Sequence, residues 1–168
     1  MPATPPLIVV MGVSGSGKTT VGQLLADRLG VPFEDADSLH SPANVAKMAA
    51  GHPLTDADRR PWLAAVGRAL AAARETGMVM ACSALKRAYR DAIRADAPTA
   101  RFLELDGSRE TLESRVGHRE GHFMPASLLD SQLATLEPLQ RDEPGERIDI
   151  DSYGSPGSLV DAALEELA

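Results

Sequence analysis

The chain has 168 residues, 43% hydrophobic and 24% charged, enough for one domain with a full hydrophobic core. A net charge of −7 argues against a broad nucleic-acid or membrane-binding surface, and no apolar run approaches the ~20 residues of a membrane span. The single cysteine, Cys82, excludes an intrachain disulfide. The opening stretch lacks the basic start of a signal peptide, so a cytoplasmic location is expected.

Leu7-Ile8-Val9-Val10-Met11 is a continuous apolar run, as in a parallel strand covered on both faces. A helix is predicted from about Gly17 to Leu29, with Val21, Leu24, Leu25 and Leu29 on one face and Gly30 as its stop. Val31 to Glu34 reads as a short second strand leading into Asp35-Ala36-Asp37. Ser41 is a good helix cap with Pro42 behind it, and Gly51 closes the turn after Met48. Thr55 with Asp58 resembles a capping box for a helix carrying Trp62, Leu63, Val66 and Leu70. Strands are expected at Met78–Cys82, Phe102–Leu105 and Ile148–Ile150. Helices are expected at Lys86–Ala95, from Ser108 to about Val116, from Pro125 to about Leu136, and after a cap at Ser158. Gly117 to Phe123 reads as a polar loop. This alternation predicts an α/β fold: a three-layer αβα sandwich with a mostly parallel five-stranded sheet, in one domain over residues 1–168.

Gly12-Val13-Ser14-Gly15-Ser16-Gly17-Lys18-Thr19 satisfies the phosphate-loop pattern in the required context, straight after a buried strand and opening a helix. Glycines let backbone N–H groups turn toward phosphate oxygens, and the helix N-terminus adds partial positive charge. Lys18 would reach the β- and γ-phosphates, and the Thr19 hydroxyl would ligate magnesium. Gly12, Ser14, Gly15, Ser16, Gly17, Lys18, Thr19 and Thr20 are therefore the expected ATP-binding set.

A phosphate loop alone does not separate a kinase from a GTPase or a motor. The chain has no Asn-Lys-x-Asp guanine-reading segment and no Asp-x-x-Gly switch, and Met78–Cys82 runs into Ser83-Ala84 instead of an acidic residue. Carboxylate support for the metal must come from elsewhere. Asp35 and Asp37 stand at the carboxyl edge of the sheet, where open α/β folds bind ligands. Spaced two apart, they share a face if the backbone stays extended. One would support magnesium through water while the other accepts a proton from a substrate hydroxyl. The working assignment gives Thr19 and Asp35 to the metal and Asp37 to the hydroxyl.

Only three of 17 basic residues are lysine: Lys18, Lys47 and Lys86. A compact point charge kept at so few places marks Lys47 and Lys86 for attention beside the loop lysine.

A longer array is more specific. Asp35-Ala36-Asp37-Ser38-Leu39-His40, Pro42, Asn44, Lys47-Met48, Gly51, Pro53-Leu54, Asp56, Asp58-Arg59 and Pro61-Trp62-Leu63 resemble the gluconate kinase family. So do Cys82-Ser83-Ala84-Leu85-Lys86, Tyr89-Arg90-Asp91, Gly121-His122-Phe123, Gln132 and Leu136-Glu137. The resemblance runs from the phosphate loop to about Pro138. It implies a nucleoside-monophosphate-kinase-like P-loop fold, ATP-dependent phosphorylation of D-gluconate at its 6-hydroxyl, and a homodimer. Residues about 38–76 would form the substrate-binding helical part and about 115–125 a lid.

A sugar acid needs a cation for its carboxylate and hydrogen-bonding groups for its hydroxyls. Arg59, Lys86 and Arg90 are candidate anion partners, and His40, Lys47, His122 and Gln132 candidate hydroxyl partners, alongside Asp37. By resemblance, Arg115 would lie near the adenine and Arg119 near the transferring phosphoryl group, which must be met from the side opposite the loop. Trp62 is expected as a packing anchor. Two other readings are a shikimate kinase, whose pattern expects a Gly-Gly pair at Ser83-Ala84, and a nucleotide-binding regulatory module.

Overall fold

The strand Leu7–Met11 (β1) is buried at all five positions, and its side chains divide by parity between two cores. Leu7, Val9 and Met11 join one cluster while Ile8 and Val10 join the other, as alternating Cβ directions require. Both faces of the sheet must therefore be covered. In the computed structural model, which describes residues 4–117 and 126–167, they are.

Four further strands flank β1: β2 (Phe33–Asp35), β3 (Met78–Ala81), β4 (Arg101–Asp106) and β5 (Gly145–Asp149). Their order is β2-β3-β1-β4-β5, and every pairing is parallel. One face carries α3 (Asp56–Ala72) and α4 (Arg87–Asp96), which supply Trp62, Leu63, Val66, Leu70, Tyr89 and Ile93 to the first core. The other carries α1 (Lys18–Leu29) and α7 (Pro156–Leu167), with Val21, Leu25, Leu159, Val160 and Ala163. Helices α2 (Pro42–Ala49), α5 (Arg109–Gly117) and α6 (Ala126–Thr135) complete the described α-helices. This is the expected three-layer α/β architecture.

Local chemistry sets most boundaries. Ser41 Oγ accepts the Asn44 N–H at 3.2 Å with Pro42 in the first turn of α2. Thr55 and Asp58 form the full capping box of α3. Two expectations need correction. The last helix starts at Pro156, and its cap is Ser155, whose Oγ accepts the Ser158 N–H at 3.2 Å; proline suits the first helical position, leaving Ser158 inside the first turn. β5 begins at Gly145 and ends at Asp149, because the Asp149 carboxylate accepts the Asp151 N–H at 2.9 Å and turns Ile150–Ser152 into a short 3₁₀ helix.

The ends of β1, β2 and β3 face one region at the carboxyl edge. Among the described residues, no helix is long and apolar enough to cross a membrane.

Candidate active site

The phosphate loop leaves β1 at Gly12, where any side chain would collide with its own turn. A Cβ there would lie 2.8 Å from Ser16 Oγ and 2.9 Å from the Leu105 carbonyl oxygen. Gly17 takes the left-handed conformation, with φ 93°, that starts α1 at Lys18. Ser14, Gly15, Gly17, Lys18 and Thr19 line a cleft of about 350 Å³. Gly12 and Ser16 shape the loop from behind, while Thr20 is exposed and stands apart from the cleft wall. Lys18 Nζ donates to the carbonyls of Gly12 (2.9 Å) and Val13 (3.1 Å), which sets the ammonium across the loop. The Ser16 hydroxyl is buried with no hydrogen-bond partner among the described residues. A cradle of turned amides, a buried orphan hydroxyl and a lysine suits a polyphosphate.

Across the cleft, Thr19 Oγ1 donates to Asp35 Oδ2 at 3.4 Å. A hydroxyl and a carboxylate side by side are oxygen donors of the kind that hard cations take. The backbone beyond Asp35 is not extended, however. Asp35 Oδ1 accepts the Asp37 N–H at 2.9 Å, and Ala36–Leu39 forms a 3₁₀ turn. Asp35 and Asp37 still both line the cleft, brought there by a turn and not by strand alternation.

His40 also lines the cleft and stacks on Trp62, with ring centroids 4.2 Å apart and 15° between planes. Trp62 Nε1 donates to the Ala36 carbonyl at 2.7 Å, so the packing anchor also fixes the turn that carries Asp37. Burial lowers the His40 pKa most, Arg59 lowers it further, and Asp37 opposes both. Asn44 Nδ2 lies 3.3 Å from His40 Nδ1 and is placed to donate to it. Burial pushes the Cys82 thiol up to about 12, so it is an inert part of the floor.

Arg59 reaches the cleft, and Gln132 arrives from α6, its Oε1 accepting the Ser14 N–H at 2.7 Å. Arg115 on α5 points its guanidinium at the loop carbonyls of Gly15 (3.5 Å) and Ser16 (3.3 Å). Arg119 and His122 lie outside the described residues. His52 was missed by the sequence reading, yet it lines the cleft between α2 and α3; its only signal was its place between Gly51 and Pro53.

Three expected partners are not brought to the cleft wall. Lys47 pairs with Asp58 at 2.6 Å, and Lys86 lies 3.4 Å from Asp56. Arg90 is the clear correction. Its side chain is fully buried, its Nε and Nη2 donate to the two oxygens of Glu143 at 2.6 and 2.9 Å, and its Nη1 donates to the Ala84 carbonyl at 2.9 Å. A buried bidentate pair of this kind holds structure. Here it secures Ala84, which adopts a left-handed φ of 43° at the place where a shikimate kinase pattern expects glycine.

A family model described as an AAA domain matches residues 7–139. A gluconokinase of Gluconobacter oxydans is 52% identical over 165 residues, covering 97% of this chain and 89% of that protein. The crystal structure of a gluconokinase from Sinorhizobium meliloti superposes with a TM-score of 0.88 at 47% identity, covering 99% of this chain and 93% of the other. The chain belongs to the AAA-domain family and to the gluconokinases.

Shikimate kinase from Acinetobacter baumannii, solved with shikimate, covers 98% of this chain and 93% of its own at a TM-score of 0.64 and 22% identity. That likeness extends to the fold alone. Within the gluconokinase family, the array from Asp35 to Leu63 sits where it matters: Asp35, Asp37, His40, Arg59 and Trp62 all meet the cleft that the phosphate loop opens. The chain is thus a nucleotide-binding P-loop kinase whose cleft has the phosphate loop on one wall and side chains of this array on the other.

Proposed function

We propose that the chain transfers the γ-phosphoryl group of ATP to the 6-hydroxyl of D-gluconate, giving 6-phospho-D-gluconate. One observation carries the reading: a single cleft has the phosphate loop on one wall and Asp35, Asp37, His40 and Arg59 on the other. The family membership selects gluconate among the small polyols and acids that could enter it.

Loop amides and Lys18 hold the β- and γ-phosphates and offset charge as it spreads over the transferring oxygens. Thr19 and Asp35, 3.4 Å apart, would hold magnesium, which would supply further charge neutralisation when bound. Asp37 orients the acceptor hydroxyl for in-line attack and takes its proton. Arg59 meets the acceptor carboxylate, while His40 and Gln132 address its hydroxyls. Lys47 and Lys86 serve the acceptor side through the acids they hold. Arg115 closes on the loop, and Arg119 and His122 are assigned by resemblance to the lid and the acceptor. One domain does all of this, in a homodimer and in the cytoplasm, where ATP is available; the family resemblance supports the dimer.

The test is ADP release measured over gluconate, other sugar acids, uncharged polyols, shikimate and nucleoside monophosphates. Gluconate should give the highest kcat/KM and a 6-phosphorylated product. Preferred turnover of shikimate or a nucleotide would sink the reading, and turnover of nothing would favour a regulatory module.

A further inference from the structure

Arg59 enters the cleft from α3, but what aims it lies on α4. Its Nη1 carries two hydrogens, and both are engaged: one donates to the Leu54 carbonyl at 2.7 Å and the other to Tyr89 Oη at 3.0 Å. That leaves Nη2 and Nε as the nitrogens with no hydrogen bond to the described residues, on a side chain that lines the cleft. The Tyr89 hydroxyl can serve Arg59 only as an acceptor, and its own proton goes elsewhere, to Asp56 Oδ1 at 2.5 Å. A phenol that donates to a carboxylate becomes a better acceptor, so the chain Arg59–Tyr89–Asp56 is polarised in one direction. The same carboxylate oxygen holds Lys86 at 3.4 Å, and the Tyr89 ring lies 5.3 Å from the Arg59 guanidinium carbon and 5.6 Å from Lys86 Nζ. The ring is itself buried in the core at 5% exposure, so the oxygen is a fixed post.

We propose that Tyr89 is a positioning residue for the acceptor: its hydroxyl fixes the Arg59 guanidinium so that the remaining nitrogens face the carboxylate of an anionic polyol. This rests on the reading of gluconate as acceptor and extends it by naming what gives the site its preference for acids over neutral sugars. The residue touches no substrate. Its effect is specific because only ligands bearing the carboxylate use the aimed guanidinium, whereas the donor is held by the opposite wall.

Tyr89→Phe removes the oxygen and keeps the packed ring. The expected result is a KM for gluconate raised about 5- to 10-fold, the size of one typical lost hydrogen bond, with the KM for ATP unchanged. Inhibition by glucitol, which keeps the five hydroxyls of gluconate and has an alcohol in place of the carboxylate, should keep its constant within about twofold. A double-mutant cycle with Arg59→Gln should be strongly non-additive, since the second change removes what the first misaims. A gluconate KM unchanged in Tyr89→Phe, or gluconate, glucitol and ATP weakened alike, overturns the positioning role while leaving the gluconate activity standing. A wild-type protein inert on gluconate overturns both.

Discussion

Two strands of this sheet end in nearly the same words. β2 closes in Asp35-Ala36-Asp37-Ser38 and β5 in Asp149-Ile150-Asp151-Ser152. The local structures agree as closely. In each, the first carboxylate accepts the N–H two residues on at 2.9 Å, and a 3₁₀ turn follows. Their neighbours differ. β2 lies against β3, one strand from the phosphate loop, so Asp35 meets Thr19 and Asp37 meets the cleft. β5 is the opposite edge, where Asp151 accepts from the Ser108 N–H at 2.8 Å and from Thr111 Oγ1 at 2.6 Å and so anchors the start of α5. The same turn faces the phosphate-loop cleft at one edge and holds a helix end at the other. Position in the sheet, not the turn, sets what these acids meet.

Substitution at each acid tests that statement. Asp37→Asn keeps the shape of the turn but removes the proton acceptor; turnover should fall by about 10²- to 10⁴-fold, with nucleotide affinity retained in a direct binding titration. Turnover near wild type would place the orienting base elsewhere. Asp35→Asn should be milder, since an amide oxygen can still cap the 3₁₀ turn. The apparent magnesium affinity in the kinase assay should weaken by about 10- to 100-fold, and saturating metal should restore most of the rate. The smallest effect belongs to β5. Asp151→Asn should leave both kcat and the magnesium requirement alone and lower the melting temperature by a few degrees at most. Hydrogen bonds from Thr111 and then Ser108 hold the Asp151 carboxyl below its usual range. A depressed folded pKa means stability that is present above the unfolded value and is lost as pH falls through the folded one. Thermal melts below about pH 4 should therefore show a shallower acid slope in Asp151→Asn than in wild type. A change in kcat in that variant would break the comparison.

Much of the phosphate-loop wall was legible because its chemistry is local. Loop glycines, lysine, threonine and the opening helix stand within eight consecutive residues, Gly12 to Thr19, and the loop's shape is set by its own backbone. On the opposite wall, Asp37, His40, Arg59 and Gln132 reach the cleft, while the contacts that take Lys47, Lys86 and Arg90 away from it are not legible. Arg90 reads as an available cation until Glu143, 53 residues away, is seen to take it, and nothing near Arg90 in sequence announces that partner. Arg59 likewise meets Tyr89 across 30 residues. The rarity of lysine did mark a pattern. Lys47 and Lys86 bind the two acids of the first turn of α3, Asp58 and Asp56, and so fix the helix that presents Arg59 instead of touching the cleft. The Asp-x-Asp spacing is visible in the sequence, but strand parity does not explain it, because the Asp35 side-chain cap curls the backbone before parity can act.

Cys82 offers a last consequence. It is the one thiol in the sequence, 1% exposed and held neutral by its surroundings at any ordinary pH. Maleimide and disulfide reagents will therefore find no native target while the chain is folded. A cysteine introduced at Val45, the half-exposed apolar residue on the outer side of α2, would react alone. A fluorophore there could follow the acceptor-side helices during turnover without first stripping the molecule of its own sulfur.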